Sequence, residues 1–150
     1  MVTKTGFSLQ LKPVGSSCNL RCRYCYVAPF RSPKQSVMRL DIAGKVVREC
    51  IEGSSHPTIT WHGGEPMMAG LPFFEGVLEV QKRHANGKPV RNIMQTNATL
   101  ITPRFAKFLS ENHFEVGVSL DGSEQTHGMN RVYPKGKNSY GSTMRGLQLL

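Results

Sequence analysis

The chain has 150 residues, 39% of them hydrophobic and 19% charged, with a formal charge of +9. That balance fits one soluble globular domain with its own core and excludes a disordered or fibrous chain. No apolar run approaches the roughly 20 residues of a membrane helix, and Met1 to Gly6 lacks the apolar core of a secretory signal, so cytoplasmic residence is the default expectation.

The elements follow in chain order. Phe7 to Leu11 alternates apolar and polar residues and predicts a first strand. Pro13 to Pro33 is a long irregular connection that holds three of the four cysteines; a loop of that length inside a compact domain points to function. Asp41 is placed to cap a helix whose apolar face is Ile42, Val46, Val47, Cys50 and Ile51, with Gly53 just past its end. Thr58 to His62 reads as the second strand, ended by Gly63-Gly64. Pro72 opens a second helix with Phe73, Phe74, Val77, Leu78 and Val80 inward. Val90 to Thr96 is the third strand. Thr102-Pro103 opens a third helix, packed through Phe105, Phe108 and Leu109. Phe114 to Leu120 is the fourth strand, closed by an Asp121-Gly122 turn. Ser142 is placed to cap a last helix with Met144, Leu147 and Leu150 as its face.

An order of β-α-β-α-β-α-β-α implies a parallel sheet covered by helices through right-handed crossovers. An open doubly wound sheet and a barrel or partial barrel both satisfy it. In either, ligands gather at the carboxyl ends of the strands. The unusual residues all fall there: the cysteine loop, Gly63-Gly64-Glu65, Thr96-Asn97 and Ser119-Leu120-Asp121. The last helix meets no Gly, Asn or Pro stop before Leu149-Leu150, so the chain is expected to stop within a larger architecture.

Lys and Arg are densest at Arg21–Arg23, Arg31–Lys34, Lys82–Arg91 and Arg131–Lys137. A solvated surface is the first reading of such a surplus, and nucleic acid the second. No Cys₂His₂ finger spacing and no basic region followed by heptads occurs, and the strands argue against a helix-turn-helix.

Cys18, Cys22 and Cys25 offer three thiolates from one loop. In a cytosolic chain a tight group of cysteines reads as metal or redox chemistry rather than a disulfide framework. Soft thiolates select zinc, Cu(I) or iron–sulfur clusters. Structural zinc wants four ligands, so it would need a distant His or Cys50, and Cys50 sits at an apolar helical position where a small buried hydrophobe is the plainer reading. A [4Fe–4S] cluster on three cysteines leaves one iron open, which is the condition for chemistry at a metal site.

The run Cys18-Asn19-Leu20-Arg21-Cys22-Arg23-Tyr24-Cys25 resembles the cluster motif of radical S-adenosylmethionine (SAM) enzymes. Together with Lys12 to Ser17, His62-Gly63-Gly64-Glu65-Pro66, Gln95-Thr96-Asn97, and Val118 to Gly122 with His127 and Arg131, it resembles the anaerobic sulfatase-maturating enzymes of that superfamily. The resemblance implies an α/β fold, a partial (β/α) barrel of the radical SAM type with about four of six β-α units present, residues 1–150 being its core domain. It implies a [4Fe–4S] cluster on Cys18, Cys22 and Cys25 whose open iron binds SAM. Gly63, Gly64 and Glu65 would hold the methionyl part, with Glu65 accepting from its ammonium. Ser119, Arg131 (near the SAM carboxylate) and Tyr24 (beside the adenine) would complete the cofactor site. The implied reaction oxidises a Cys or Ser of a sulfatase polypeptide to formylglycine, with flavodoxin or ferredoxin as reductant. The general acid or base and the auxiliary clusters are expected beyond residue 150. The alternative is a truncated, non-catalytic paralogue with a binding or regulatory role; a zinc-binding nucleic-acid module is a third reading, against which the β-α order speaks. Gln95 and Asn97 are expected on the substrate side, His127 in a structural role, and Asp121 in shaping its turn. Ala98 stands where relatives commonly have Gly, which costs something if that position needs a positive φ. Ser123 and Gly128 likewise replace residues that are often Pro and Asp.

Overall fold

The computed structural model describes residues 7–31 and 36–150. The reading of Met1 to Gly6, the end of the cysteine connection at Ser32 and Pro33, and Lys34 of one basic run lie outside the described residues.

Four strands form one parallel sheet in the order β1 (Ser8–Leu11), β2 (Thr58–Trp61), β3 (Arg91–Thr96) and β4 (Glu115–Val118). Between them run α1 (Leu40–Gly53), α2 (Leu71–His84) and α3 (Pro103–Glu111). Each strand lies beside its predecessor and the order never reverses. Right-handed crossovers then put every helix on the same face. That progression is the wall of a partial barrel and not a doubly wound sheet, whose order turns back at a switch point. After β4 come α4 (Glu124–Asn130), which the sequence pattern did not predict, and α5 (Tyr140–Gln148). Short 3₁₀ turns occupy Ala28–Phe30 and Pro66–Ala69.

Strand alternation divides the two faces of the sheet. Ile59 and Trp61 of β2 are in register with Asn92 and Met94 of β3, and all four are buried under the helices. Thr60, Ile93, Gln95 and Gly117 fall on the opposite, concave face. Trp61, Phe73 and Phe74 meet edge to face, with ring centroids 5.3–6.1 Å apart. A buried polar group is closed inside this core. The Trp61 indole N–H donates to Asn92 Oδ1 (3.0 Å), and Asn92 and Gln81 exchange two amide bonds of 2.9 Å.

Two helices start earlier than the sequence reading placed them. In α1 the N-cap is Arg39, not Asp41; Asp41 lies in the first turn, where its carboxylate takes both Nε and Nη2 of Arg39. Val47, Cys50 and Ile51 face inward as expected, joined by Ala43, while Ile42 is exposed and Gly53 is the last helical residue. In α5 the N-cap is Ser139, not Ser142, because Asn138 Oδ1 accepts from the Tyr140 amide and starts the turn earlier. Thr143 and Gly146 form its buried face, while Leu147 and Leu150 are exposed. Gly146 sits against the Ala98 carbonyl, which any Cβ there would overlap. Thr102 caps α3 as expected, accepting from the Phe105 amide.

Replacing Asn92 by Leu strands the Trp61 indole N–H and the Gln81 amide in the core. The expected cost is about 2–4 kcal/mol, read as a lower urea midpoint with an unchanged slope. A midpoint equal to that of the unsubstituted chain would show that the network does not hold the core.

Candidate functional site

The cysteine loop is folded by its own anchors. Val14, Leu20 and Val27 are buried, Leu20 completely. Backbone bonds from Gly15 to Lys12 and from Ser17 to Val14 form its first turns. On one flank, the amides of Arg21 and Arg23 donate to the carbonyls of Val132 and Asn130 (2.6 and 3.0 Å), so Cys22 is held beside Arg131. On the other, β1–β2 pairing continues past the regular ladder. His62 donates to Leu11 (2.9 Å), Gly64 to Gly15 (2.9 Å) and Glu65 to Ser17 (2.8 Å).

Gly63-Gly64 exists for this contact. Gly63 has φ +114°, a region side chains avoid, and a Cβ on it would lie 2.7 Å from the Gly15 carbonyl. A Cβ on Gly64 would overlap the Ser17 carbonyl. The backbone that approaches the glycines closely is therefore the cysteine loop itself.

Glu65 is 1% exposed. Its Oε1 accepts from the Thr96 hydroxyl (2.7 Å) and the Met67 amide (3.1 Å), and its Oε2 from the Asn97 amide (2.8 Å). These three bonds tie the end of β2 to the end of β3. They take three of the carboxylate's roughly four lone-pair positions, so any ligand ammonium meets a side chain already committed to the fold. Burial pushes its carboxyl up to about 6, against the opposing pull of Asn97, Thr96 and Met67.

The end of β3 also reaches the first cysteine. Asn97 Nδ2 donates to Asn19 Oδ1 (3.0 Å) and approaches Cys18 Sγ at 3.8 Å, and the Leu20 amide points at the same sulfur (3.4 Å). Asn19 in turn donates to Thr99 (2.8 Å). Ala98 does take a positive φ, +60°, so the Gly-to-Ala departure falls on a left-handed position. Its amide bonds Thr96 Oγ1, and its buried methyl packs beneath α5. Burial raises the thiol pKa of Cys18 and of Cys22.

A second group of polar residues closes the far side. Tyr24 Oη donates to Asp121 Oδ2, Arg131 Nε donates to Asp121 Oδ1 (2.8 Å), and the Arg131 guanidinium lies 5.4 Å from the Tyr24 ring centre. Burial would raise the Asp121 carboxyl, but the Tyr24 hydrogen bond and Arg131 outweigh it and hold it below the usual range. Burial and the Asp121 hydrogen bond push Tyr24 up to about 12. Asp121 thus does more than shape a turn. His127, fully buried, accepts from the Asp121 amide at Nδ1 (3.4 Å), so its Nε2–H faces Ser139 (2.9 Å), which donates to the Arg131 carbonyl (2.7 Å). Burial and Arg131 lower its pKa.

These parts enclose one cavity at the carboxyl ends of the strands. All nine residues singled out from the sequence line it: Cys18, Cys22, Cys25, Tyr24, Gly63, Gly64, Glu65, Ser119 and Arg131. So do Gln95 and Asn97; Gln95 Nε2 donates to Ser119 (3.0 Å) from the concave face. Cys50 is buried in α1 and takes no part in the lining. The sequence reading missed Arg31 in this wall, placed Thr96 at a strand end without assigning it a role, and gave none to His62. Among the described residues, the buried side-chain nitrogens and oxygens without a partner are Arg31 Nε, Arg31 Nη2 and His62 Nδ1, all belonging to residues of this wall. Unsatisfied buried polar atoms confined to one cavity mark it as the place a ligand completes.

Residues 13–150 match the family described as the Radical SAM superfamily. The chain is 38% identical over 148 residues to a serine-type anaerobic sulfatase-maturating enzyme of Bacteroides thetaiotaomicron, covering 95% of this chain and 36% of that protein. It is 40% identical over 149 residues to a cysteine-type anaerobic sulfatase-maturating enzyme of Clostridium perfringens, covering 95% of this chain and 40% of the relative. A solved structure described as native anSMEcpe with bound AdoMet superposes with a TM-score of 0.89 at 38% identity, over 95% of this chain and 40% of that one. The chain therefore spans well under half the length of the relatives it matches.

Two outcomes follow from the geometry. Gly64→Ala pushes the Ser17 carbonyl away and detaches the cysteine loop from β2; an expected loss above about 3 kcal/mol places it among exceptional single substitutions, read by thermal unfolding. Burial raises the folded-state pKa of Glu65 to about 6, above the usual carboxylate range. The folded state therefore binds the proton more tightly, and this group's contribution to stability is full below about pH 4.5 and falls by about 2 kcal/mol as pH rises through 6. Glu65→Gln should remove that component, so the difference in unfolding free energy between the two proteins changes across pH 4.5–6; a constant difference would refute it.

Proposed function

We infer the function from one premise: the chain belongs to the radical SAM superfamily. We propose that Cys18, Cys22 and Cys25 hold a [4Fe–4S] cluster and that the cavity they share with Gly63, Gly64, Glu65, Ser119, Arg131 and Tyr24 binds SAM. The observation that carries this reading is the convergence of all nine residues, drawn from the segments that follow β1, β2 and β4 and from the C-cap of α4, on one cavity. The donor set fits: three thiols on one wall, the fourth cysteine in the core, and N–H groups of Leu20 and Asn97 directed at Cys18 Sγ. Such outer contacts orient and tune thiolate ligands.

When bound, cluster and SAM together supply one-electron cleavage of the sulfonium bond and a carbon radical that abstracts a substrate hydrogen. The chain's own part is positional. The glycine turn fixes the loop against β2, Glu65 locks that turn to β3, and the Asp121 pair holds Arg131 and Tyr24 at the opposite wall. The polar concave face through Gln95 and Ser119 leads to the cavity from the barrel interior.

The relatives' names support a substrate class: a Cys or Ser of a sulfatase polypeptide, oxidised to formylglycine. We propose that class for the protein whose cofactor site this chain carries, residues 1–150 being its radical SAM core, with a low-potential reductant such as flavodoxin or ferredoxin. No helix among the described residues is long and apolar enough to cross a membrane; cytoplasmic residence is part of the proposal.

Anaerobic reconstitution with iron and sulfide should give a brown protein with [4Fe–4S] absorbance, lost in Cys22→Ala. Dithionite and SAM should then yield 5′-deoxyadenosine. A colourless protein that takes up one zinc would overturn the cluster, and a cluster that releases no deoxyadenosine would leave the binding-only paralogue as the better account.

A further inference from the structure

Arg31 ends the cysteine loop, just after the 3₁₀ turn Ala28–Phe30, and lines the cavity. Its Nε and Nη2 are buried and have no hydrogen-bond partner. Those two N–H groups leave the guanidinium side by side and form the edge that grips a carboxylate with two parallel bonds. Elsewhere in this chain the same edge is filled: Arg39 gives Nε and Nη2 to Asp41, and Arg91 gives both to Glu115. On Arg31 it is empty.

Among the described residues no carboxylate partners it. Residues 1–40 contain no Asp or Glu, although they carry Lys4, Lys12, Arg21, Arg23, Arg31, Lys34 and Arg39. Glu65 is the one carboxylate in the cavity wall, and its oxygens are turned to Thr96, Met67 and Asn97. A buried guanidinium edge with no counter-charge is costly. The Arg31 charge also bears on the thiols of Cys18 and Cys22, which places it close to the first two proposed cluster ligands. Arg131 is less suited to a two-bond grip through this edge, since its Nε is held by Asp121.

We propose that the Nε/Nη2 edge of Arg31 binds the carboxylate of the ligand in this cavity, which on the functional reading above is the methionyl carboxylate of SAM. The inference rests on that reading and adds a positioning residue to it. Two donors on a planar carboxylate fix its orientation as well as its position.

The test uses the anaerobically reconstituted chain and its Arg31→Gln and Arg31→Lys variants. SAM affinity is measured by equilibrium dialysis without any peptide present, beside iron content and the midpoint potential of the SAM-free cluster. Arg31→Gln should weaken SAM binding about 10- to 100-fold, the loss of a charge-assisted pair. Arg31→Lys should keep most of that loss, because an ammonium cannot match two acceptors. Iron content should stay as in the unsubstituted protein, and the SAM-free potential should stay so in Arg31→Lys, which keeps the charge. If Arg31→Gln loses iron, Arg31→Lys carries the comparison. SAM affinity within twofold of the unsubstituted protein overturns the proposal, as does full rescue by lysine. A tenfold shift in the SAM-free reduction equilibrium of Arg31→Lys, about 59 mV for one electron, also overturns it by assigning Arg31 to the cluster. Failure of the unsubstituted chain to take up a cluster or SAM would instead sink the functional reading, and this inference with it.

Discussion

The site depends on one backbone contact: the Glu65 amide on the Ser17 carbonyl, 2.8 Å, made possible because Gly64 has no side chain to fill the same space. Through it the β1–β2 ladder continues into the cysteine loop. The same Glu65 then turns its carboxylate to the end of β3. One residue thus couples three strand ends: β1 through the loop it feeds, β2 by sequence, and β3 by its side chain. Loosening it would free both Cys18, whose surroundings come from Asn97 and Leu20, and the turn at Ala98 on which α5 rests.

The far wall uses charge where the near wall uses backbone. Asp121 takes Arg131 and Tyr24 at once, and His127 and Ser139 hold the chain on either side of that group. The two acids of the site behave oppositely for this reason. Glu65 faces only neutral donors, so burial dominates and its pKa rises. Asp121 faces a guanidinium, so its pKa falls. With both acids committed to the frame and none in residues 1–40, the cavity keeps an excess of positive charge toward its contents. The basic surplus of the chain, dispersed in sequence, has here a local meaning that net charge alone does not convey.

The sequence made the strands, their order and the cavity wall legible because those rest on local patterns: alternation, glycine pairs and the cysteine spacing. Positions in space were harder. Ala98 stood out through the resemblance, as a residue where relatives commonly have Gly, and its φ of +60° shows that the position does need the left-handed region. The starts of α1 and α5 were misplaced by two and three residues because Asp41 and Ser142 are plausible caps, whereas Arg39 has no capping side chain and the turn at Ser139 is begun by its neighbour Asn138. The short α4 escaped notice because it has a cap, Ser123, but almost no apolar face. Glu65 was read toward a ligand, and its structural bonds could not be seen because Thr96 and Asn97 are distant in sequence. Arg31 looked like one more surface cation; the signal that could have found it was the absence of any acid in the first 40 residues.

A loop that carries metal ligands is often unfolded until the metal arrives, since the ligands themselves supply its order. This loop is built differently. Its turns close on its own carbonyls, Leu20 is sealed in the protein between two of the cysteines, and its flanks are hydrogen-bonded to Gly64-Glu65 on one side and to Asn130 and Val132 on the other. None of these contacts uses a thiol. The order of the ligand set therefore comes mainly from backbone contacts of the fold; Cys18 adds only the approach of Leu20 and Asn97 to its sulfur, and burial raises the thiols of Cys18 and Cys22. Little chain entropy remains to be lost on binding, so binding energy can go to holding an open iron and its ligand in place, which is what a catalytic metal site requires and a structural one does not.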